Sequence, residues 1–343
     1  MSDQKGTGRF SRTIISDIAE KSGVSATTVS RVLHGHKDVS IATRNKVMQY
    51  INETGYVAQR NARTTTSLLG LSVPLFNNYF GDIMEGMYDA LLSRDAQCIT
   101  IRTENRYDLE TAHVQKLLTQ DISGLLFILP QHTSDELAQL QKSGIPLVVT
   151  DPFVNLPDTI PTVMVENISA SMLGMEHLLS LGHRRIGIVT GPAHWGMTIN
   201  RVAGYYAALA AAGVPINPNL ICEGRWTAES GEEICAQLLS LPEPPTAIFA
   251  FNDDMAIGVV HALSKRGIRV PEDISVVGFD DVSLNLPYIT PGLTTVRQPL
   301  KEIGRLAVDV LYRLLQHQPL EATHIRLSAR LVVRDSTGPC KEA

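Results

Sequence analysis

Cysteine is scarce. Only Cys98, Cys222, Cys235 and Cys340 occur in 343 residues, and no two of them form a C-x-x-C pair. That scatter offers no zinc site and no disulfide framework, so four reduced thiols are expected. Long apolar runs are missing as well: no stretch reaches the roughly 18 residues of a membrane span. The opening MSDQKGTGRFSRT is polar where a secretory signal would carry an apolar segment. There is no low-complexity segment and no exact repeat. Catalytic signatures are equally absent, with no G-x-S-x-G elbow, no P-loop and no H-E-x-x-H. GTGRFS at 6–11 lacks the third glycine of a dinucleotide loop and follows no strand, and HGH at 34–36 has no further ligands beside it. The expectation is a cytoplasmic protein that is not an enzyme, holds no metal or other cofactor, and has no membrane partner.

What is present is unevenly distributed. Residues 1–66 carry ten basic and five acidic side chains, a balance of +5, whereas the rest of the chain carries 20 and 30, a balance of −10. A basic head on an acidic body suits a polyanionic partner for the head, although a solvated charged face gives the same count. The length implies two or three domains.

The head reads as three short helices. Ile15–Lys21 and Ser25–Leu33 are parted only by Ser22-Gly23-Val24, and a third helix follows Ser40 to about Glu53. Ser25 and Ser40 stand at N-cap positions. Gly23 supplies the positive φ that so abrupt a corner needs, and Val24 plugs the angle. Ile18, Ala19, Val24, Val29, Val32, Val47 and Ile51 fall at helical spacing as a small core. The second helix turns Ala26, Thr27, Ser30 and Arg31 outward. Short polar residues with one long donor suit a helix lying in a DNA major groove, where an arginine reads guanine edges or clamps a phosphate. A plain three-helix bundle has the same tight corner.

RTTTS at 63–67 is a polar connector, and beyond it the pattern changes. Apolar strand-like runs appear at 68–73, 97–101, 124–129, 146–150, 185–190, 246–251 and 274–279. Helical stretches separate most of them, for example 82–93, 110–118, 170–181, 201–212, 230–239 and 255–265. Continuous apolar strands alternating with helices mean parallel sheets covered on both faces, and this many units exceed one ordinary sheet. Two α/β lobes are expected.

The run DIAEKSGVSATTVSRVLHG (17–35), followed by VSIATRNKV and INETGY, resembles the DNA-binding head of the lac repressor family. The similarity continues through ISGLLFILP, MEHLLSLGHRRIGIVTGP, NRVAGYYAAL, FNDDMAIG, VPEDISVVGFDD and LTTVRQPLKEIG, and spans about residues 13–335. It implies a helix-turn-helix head at 12–62, a shortened linker at 63–67, and an α/β effector domain of the type I periplasmic-binding-protein fold at 68–343. The lobes would comprise about 68–163 with 300–327, and about 164–297 with 328–341, joined by three chain crossings. It implies a ligand-responsive transcription regulator, most simply a repressor. Such a protein binds double-stranded operator DNA as a homodimer on a pseudo-palindrome. The tail after LVVR carries no leucine heptads, so a dimer is expected over a tetramer.

Matched by motif, Ala26, Thr27 and Arg31 are base-reading positions. Ser25, Thr28, Ser30 and Thr43 are phosphate-contacting or capping positions. The linker departs from the family: Arg63 matches the arginine of its hinge motif, but no leucine follows two residues later, so no apolar wedge is available to unstack a base step. Arg60 and Arg63 are left to lie along phosphates or in a narrow minor groove, or simply in solvent. Ile14 stands where the family has a threonine cap.

Asp151, Arg201, Asn252 and Asp280 match the family's ligand contacts, and Trp226 matches an aromatic that packs flat on the ligand. Phe76, Tyr79 and Phe80 are expected at the lip of the first lobe. An arginine fork facing carboxylates and an amide suits a small polyhydroxylated molecule, so a sugar-like effector is expected. A purine or nucleoside acting as co-repressor is the alternative, and a sugar-binding protein with no DNA function is a third reading. Each residue also has a plainer role: Asn252 and Asp280 as helix caps, Trp226 and Phe80 as core, and Arg201 paired on the surface.

Overall fold

The computed structural model describes residues 15–33, 39–54, 67–154, 156–282 and 290–341. They fall into two compact units that divide after Thr65.

The first unit holds α1 (Ile15–Ser22), α2 (Ala26–Leu33) and α3 (Ile41–Thr54). Ser25 Oγ accepts the amide of Thr28 at 3.1 Å and Ser40 Oγ that of Thr43 at 3.1 Å, so both expected N-caps are formed. Gly23 takes φ +64°, and Val24 donates back to the Ala19 carbonyl at 3.0 Å, which closes the corner. Ile18, Ala19, Val29, Val32 and Val47 are buried, with Val24 packed against them. Each such aliphatic burial contributes about 1.5–3 kcal/mol. The side chain of Ile51 lies outside the described residues.

The second unit contains two six-stranded sheets. The first is built from β1 (Leu68–Val73), β2 (Gln97–Arg102), β3 (Gly124–Ile128), β4 (Leu147–Thr150), β5 (Thr162–Val165) and β11 (His324–Leu327), in the order β2-β1-β3-β4-β5-β11. The second holds β6 (Ile186–Thr190), β7 (Ile221–Glu223), β8 (Ala247–Ala250), β9 (Ser275–Asp280), β10 (Thr294–Arg297) and β12 (Arg330–Val332), in the order β7-β6-β8-β9-β10-β12. All pairings are parallel except β10 with β12. The first five strands of each sheet share one order, 2-1-3-4-5, which reverses beside the first strand. Doubly wound sheets bind ligands at that reversal, outside the carboxyl ends of the strands.

Among the described residues eight α-helices link the strands: α4 (Asn78–Leu92), α5 (Tyr107–Leu118), α6 (Ser134–Lys142), α7 (Asn167–Ser180), α8 (Gly196–Ala211), α9 (Ala228–Leu239), α10 (Asp253–Lys265) and α11 (Leu300–Leu315). Three helix pairs among the described residues meet backbone to backbone, one of them α7 and α8, where a Cβ on Gly204 would overlap the Ile168 carbonyl. A Cβ on Gly86 of α4 would overlap the Lys301 carbonyl, and one on Gly304 of α11 that of Ile83; Gly231 and Gly258 do the same for α9 and α10. The chain passes between the sheets three times, near 166, 298 and 328.

The seven expected strands form within a residue or so of their predicted bounds. β5, β7, β10, β11 and β12 were not expected, because runs of three or four residues carry too little periodicity to stand out. Helices α6 and α11 were not among the stretches named from the sequence, although in α6 Thr133 and Glu136 form a capping box: Thr133 Oγ1 accepts the Glu136 amide at 3.3 Å and Glu136 Oε2 the Thr133 amide at 2.8 Å.

Candidate functional site

The carboxyl ends of both sheets' strands bring six of the expected cleft residues together. Asp151 follows β4, Asp280 ends β9, Trp226 lies three residues beyond β7, and Asn252 precedes α10. Tyr79 sits on the first turn of α4, which begins four residues earlier than predicted. Asp151, Trp226 and Asp280 have φ of 48°, 63° and 110°. L-residues hold such values only where the surroundings over-determine them, at about 1–3 kcal/mol each, and such outliers cluster at ligand sites.

Tyr79 Oη donates to Asp151 Oδ2 at 2.5 Å. Arg201 is 2% exposed, so its reading as a surface ion pair is excluded. It also lies in the second turn of α8, not at a helix start as expected. The predicted start was late because Trp195, at the N-cap position, makes no side-chain capping bond and left no capping signature in the sequence. The guanidinium carbon lies over the Phe279 ring, 3.6 Å from its centroid, and 6.0 Å from that of Trp226. Its Nε donates to Asn167 Oδ1 at 2.8 Å, and its Nη1 donates to the Phe251 carbonyl and stands 3.8 Å from Asp280 Oδ1.

Asn252 does cap α10, accepting the Met255 amide at 2.9 Å, and its Nδ2 also donates to the Trp226 carbonyl at 3.0 Å. One residue thus fixes both a helix start and the strained Trp226 backbone. Trp226 is half-buried rather than core, and its indole lies against Gly191, where a Cβ would overlap it. Phe80 is buried, edge-on to Tyr79 at 5.2 Å, as its plainer core role implies. Phe76 is 61% exposed.

The electrostatics follow from burial. It raises the carboxyls of Asp151 and Asp280, opposed at Asp151 by the Tyr79 hydrogen bond and at Asp280 chiefly by Arg201. It lowers Arg201, with Asp280 the main opposing charge. Tyr79 is held well above the ordinary phenol range by burial, then by Asp151 and Asp280. Asp253 is raised by burial and then by Asp280. The cluster is therefore one coupled set of charges drawn from both halves of the unit.

Several participants were not foreseen. Asp253 is buried and accepts from Thr295 Oγ1 at 2.6 Å and the Asp281 amide at 2.7 Å, bracing the end of β9. Trp195 and Phe153 extend a row of rings, with centroids 4.6 Å apart, and Trp195 lies 5.6 Å from Trp226. Phe153 also accepts the Gly196 amide at 2.9 Å. Thr198, three residues before Arg201 on α8, and Trp226 Nε1 hold buried polar atoms without protein partners. A buried group of that kind costs about 1–3 kcal/mol unless something satisfies it.

A separate groove of about 920 Å³ between α4 and α11 contains none of the expected residues. Within it Arg94 pairs with Asp309, and Arg305 with both Glu302 and Asp309. Among the described residues no group of His, Cys, Asp or Glu is arranged for a metal, and no helix is long and apolar enough to cross a membrane.

In the first unit, α2 exposes Ala26, Thr27 and Arg31 along one side, with Ser25 exposed at its cap and Thr28 half-buried. Thr28 Oγ1 lies 2.9 Å from Ser25 Oγ, and Thr43 Oγ1 lies 2.8 Å from Ser40 Oγ. The side chain of Ser30 and residues Ile14, Arg60 and Arg63 lie outside the described residues.

A helix-turn-helix unit attached to a doubled periplasmic-binding fold with a polar inter-sheet cluster defines a ligand-responsive DNA-binding regulator. The comparisons agree. Residues 14–59 match the bacterial regulatory proteins of the lacI family, and residues 175–337 match a periplasmic binding protein-like domain. The HTH-type transcriptional repressor CytR of Escherichia coli (strain K12) is 32% identical over 327 residues, covering 94% of this chain and 95% of that protein. The lac repressor dimer bound to operator and the anti-inducer ONPF superposes with a TM-score of 0.71 at 31% identity, over 96% of this chain and 100% of that one. A transcriptional regulator CelR–cellobiose complex gives 0.72 at 31%, over 95% and 100%. The chain belongs to the lacI family of transcriptional regulators, and its relatives are regulators, not enzymes.

Proposed function

We propose that this chain is a cytoplasmic repressor that binds a pseudo-palindromic operator as a homodimer and answers to a small polyhydroxylated effector, a sugar or sugar derivative. The cluster of Asp151, Arg201, Asn252 and Asp280 carries the effector reading. Arg201 donates in a plane, the carboxylates and amide accept or bridge hydroxyls, and Trp226 offers a flat apolar face. The unpartnered Trp226 Nε1 and Thr198 Oγ1 give the ligand a further donor and a hydroxyl to meet. Tyr79 lines the same cluster with Phe80 packed behind it, and Phe76 reaches the ligand only from an exposed position. A nucleoside or purine is the second reading, supported by the ring row Phe153–Trp195–Trp226.

On the DNA side, Ala26, Thr27 and Arg31 read base edges. Ser25, Thr28, Ser30 and Thr43 hold phosphates, and Arg60 and Arg63 add backbone or minor-groove contacts. The chain's only two tryptophans, Trp195 and Trp226, both stand at the cluster, so intrinsic fluorescence reports ligand directly. Titration with D-ribose, D-glucose, D-galactose, cellobiose and adenosine should show saturable quenching by one class, abolished in Arg201→Ala. A mobility shift on the upstream duplex should then change with that compound. Undiminished binding by Arg201→Ala would remove this cluster as the site.

A further inference from the structure

The Arg201–Asp280 pair is anchored at two of the three places where the chain passes between the sheets. The first crossing leaves β5 at Val165 and enters α7 at Asn167. Asn167 is buried, and its Oδ1 accepts Arg201 Nε at 2.8 Å. One turn on, Ser171 Oγ donates to the Arg201 carbonyl at 2.7 Å, so α7 holds this residue by side chain and main chain together. The second crossing leaves β10 at Arg297 and enters α11 at Leu300. Between them Gln298, 4% exposed, donates through Nε2 to Asp280 Oδ1 at 2.6 Å and through its amide to the Asp280 carbonyl at 3.1 Å. Arg297 itself is ion-paired to Asp281. The third crossing is tied to the first, because Glu166 donates its amide to the Leu327 carbonyl at 2.9 Å and pairs with Arg326 at 3.0 Å.

Two buried hydrogen bonds to charged groups thus fall on connecting segments, and such bonds are about twice as strong as neutral ones. Any ligand that redirects the Arg201 fork or the Asp280 carboxylate must also redirect Asn167 or Gln298. Gln298 has spare capacity for that, since its Oε1 is buried without a partner.

We propose that Asn167 and Gln298 are positioning residues that carry the state of the effector cluster into the crossings between the sheets, and so couple ligand to DNA. This rests on the effector reading above, but it assigns the transmission to residues outside the ligand's own contacts.

The test uses the full chain, with Asn167→Ala, Asn167→Asp and Gln298→Ala. The probe is whichever of D-ribose, D-glucose, D-galactose, cellobiose or adenosine quenches wild-type tryptophan fluorescence. Three quantities are measured: the dissociation constant for that compound, that for the upstream duplex, and the ratio of duplex constants with and without it. Wild-type coupling of the usual size would make that ratio about 5–150. Asn167→Ala and Gln298→Ala should leave each single constant within about threefold while the ratio falls towards one. Asn167→Asp, which keeps an acceptor for Arg201 Nε, should retain it. A wild-type ratio in both alanine variants overturns the proposal. So does a parallel loss of ligand binding and coupling, which would make these ordinary ligand contacts.

Should no compound quench the wild type, the effector reading falls, and hydrogen exchange decides the coupling separately. Binding of the duplex should change protection across 162–168 and 294–300 in wild type and not in the alanine variants. Identical changes in all of them overturn the proposal.

Discussion

Tyr79 and Asp151 are 72 residues apart, yet the phenol of one donates to the carboxylate of the other at 2.5 Å inside a buried cluster. The bond offsets part of what burial does to Asp151. Tyr79→Phe should therefore raise the Asp151 carboxyl further and destabilise the second unit by about 1–3 kcal/mol at neutral pH. The sign follows from the direction of the shift. A carboxyl raised in the folded state binds protons there more readily than when unfolded, so the ionised form costs stability and the cost disappears as pH falls. The gap between wild-type and Tyr79→Phe melting temperatures should be larger at neutral pH than close to the ordinary carboxyl value of 3.8. A gap that widens on acidification would show that the bond does not act on the ionised carboxylate.

Gly191 is where a Cβ would overlap the Trp226 indole. In Gly191→Ala the ring must move, because Trp226 is held from behind by Asn252. The variant should fold with a loss of about 1–3 kcal/mol. It should shift tryptophan emission and weaken effector binding by about tenfold or more, at least about 1.4 kcal/mol. Wild-type emission and affinity together would mean that the indole's position is not set there.

His183 is buried between Thr246 Oγ1 at 2.9 Å, Ser275 Oγ at 3.0 Å and the Gly338 carbonyl at 3.1 Å, and it ties the C-terminal segment to the second sheet. Burial lowers its pKa, and lowers that of His177, which meets Thr337 Oγ1 at 2.9 Å. The unfolded chain therefore takes up these protons first. The stabilisation is complete above the ordinary histidine value of 6.5 and is lost as pH falls below it through the folded values. His183→Gln should melt lower than wild type at about pH 7.5 and show a shallower decline towards about pH 5.5. Parallel profiles would clear His183 of the effect.

Arg31 extends from the exposed side of α2. If it reads a guanine, Arg31→Ala should cost about 1–3 kcal/mol and relax selectivity at one operator position. Titration of operator variants distinguishes this from phosphate contact, which would weaken all sequences equally and flatten the salt dependence by about one counterion.

The head was legible in the sequence because its determinants are local. A serine cap closes on the residue three ahead, Gly23 supplies its own φ, and five buried residues follow one helical period. The strand ends at Asp151, Asn252 and Asp280 were legible for a similar reason, since each follows an apolar run that any parallel sheet must bury. What the tertiary structure decided is who meets whom across the second unit. Arg201 finds Asn167 from 34 residues away and Gln298 finds Asp280 from 18, and nothing in either short run announces the partner. The positive φ of Trp226, the ring row through Trp195, and the repeated strand order in two sheets without sequence repetition belong there too. A parallel sheet covered on both faces needs only short continuous apolar runs, so very different sequences satisfy one topology. A buried hydrogen bond depends on where two distant segments come to rest, and only the folded chain specifies that.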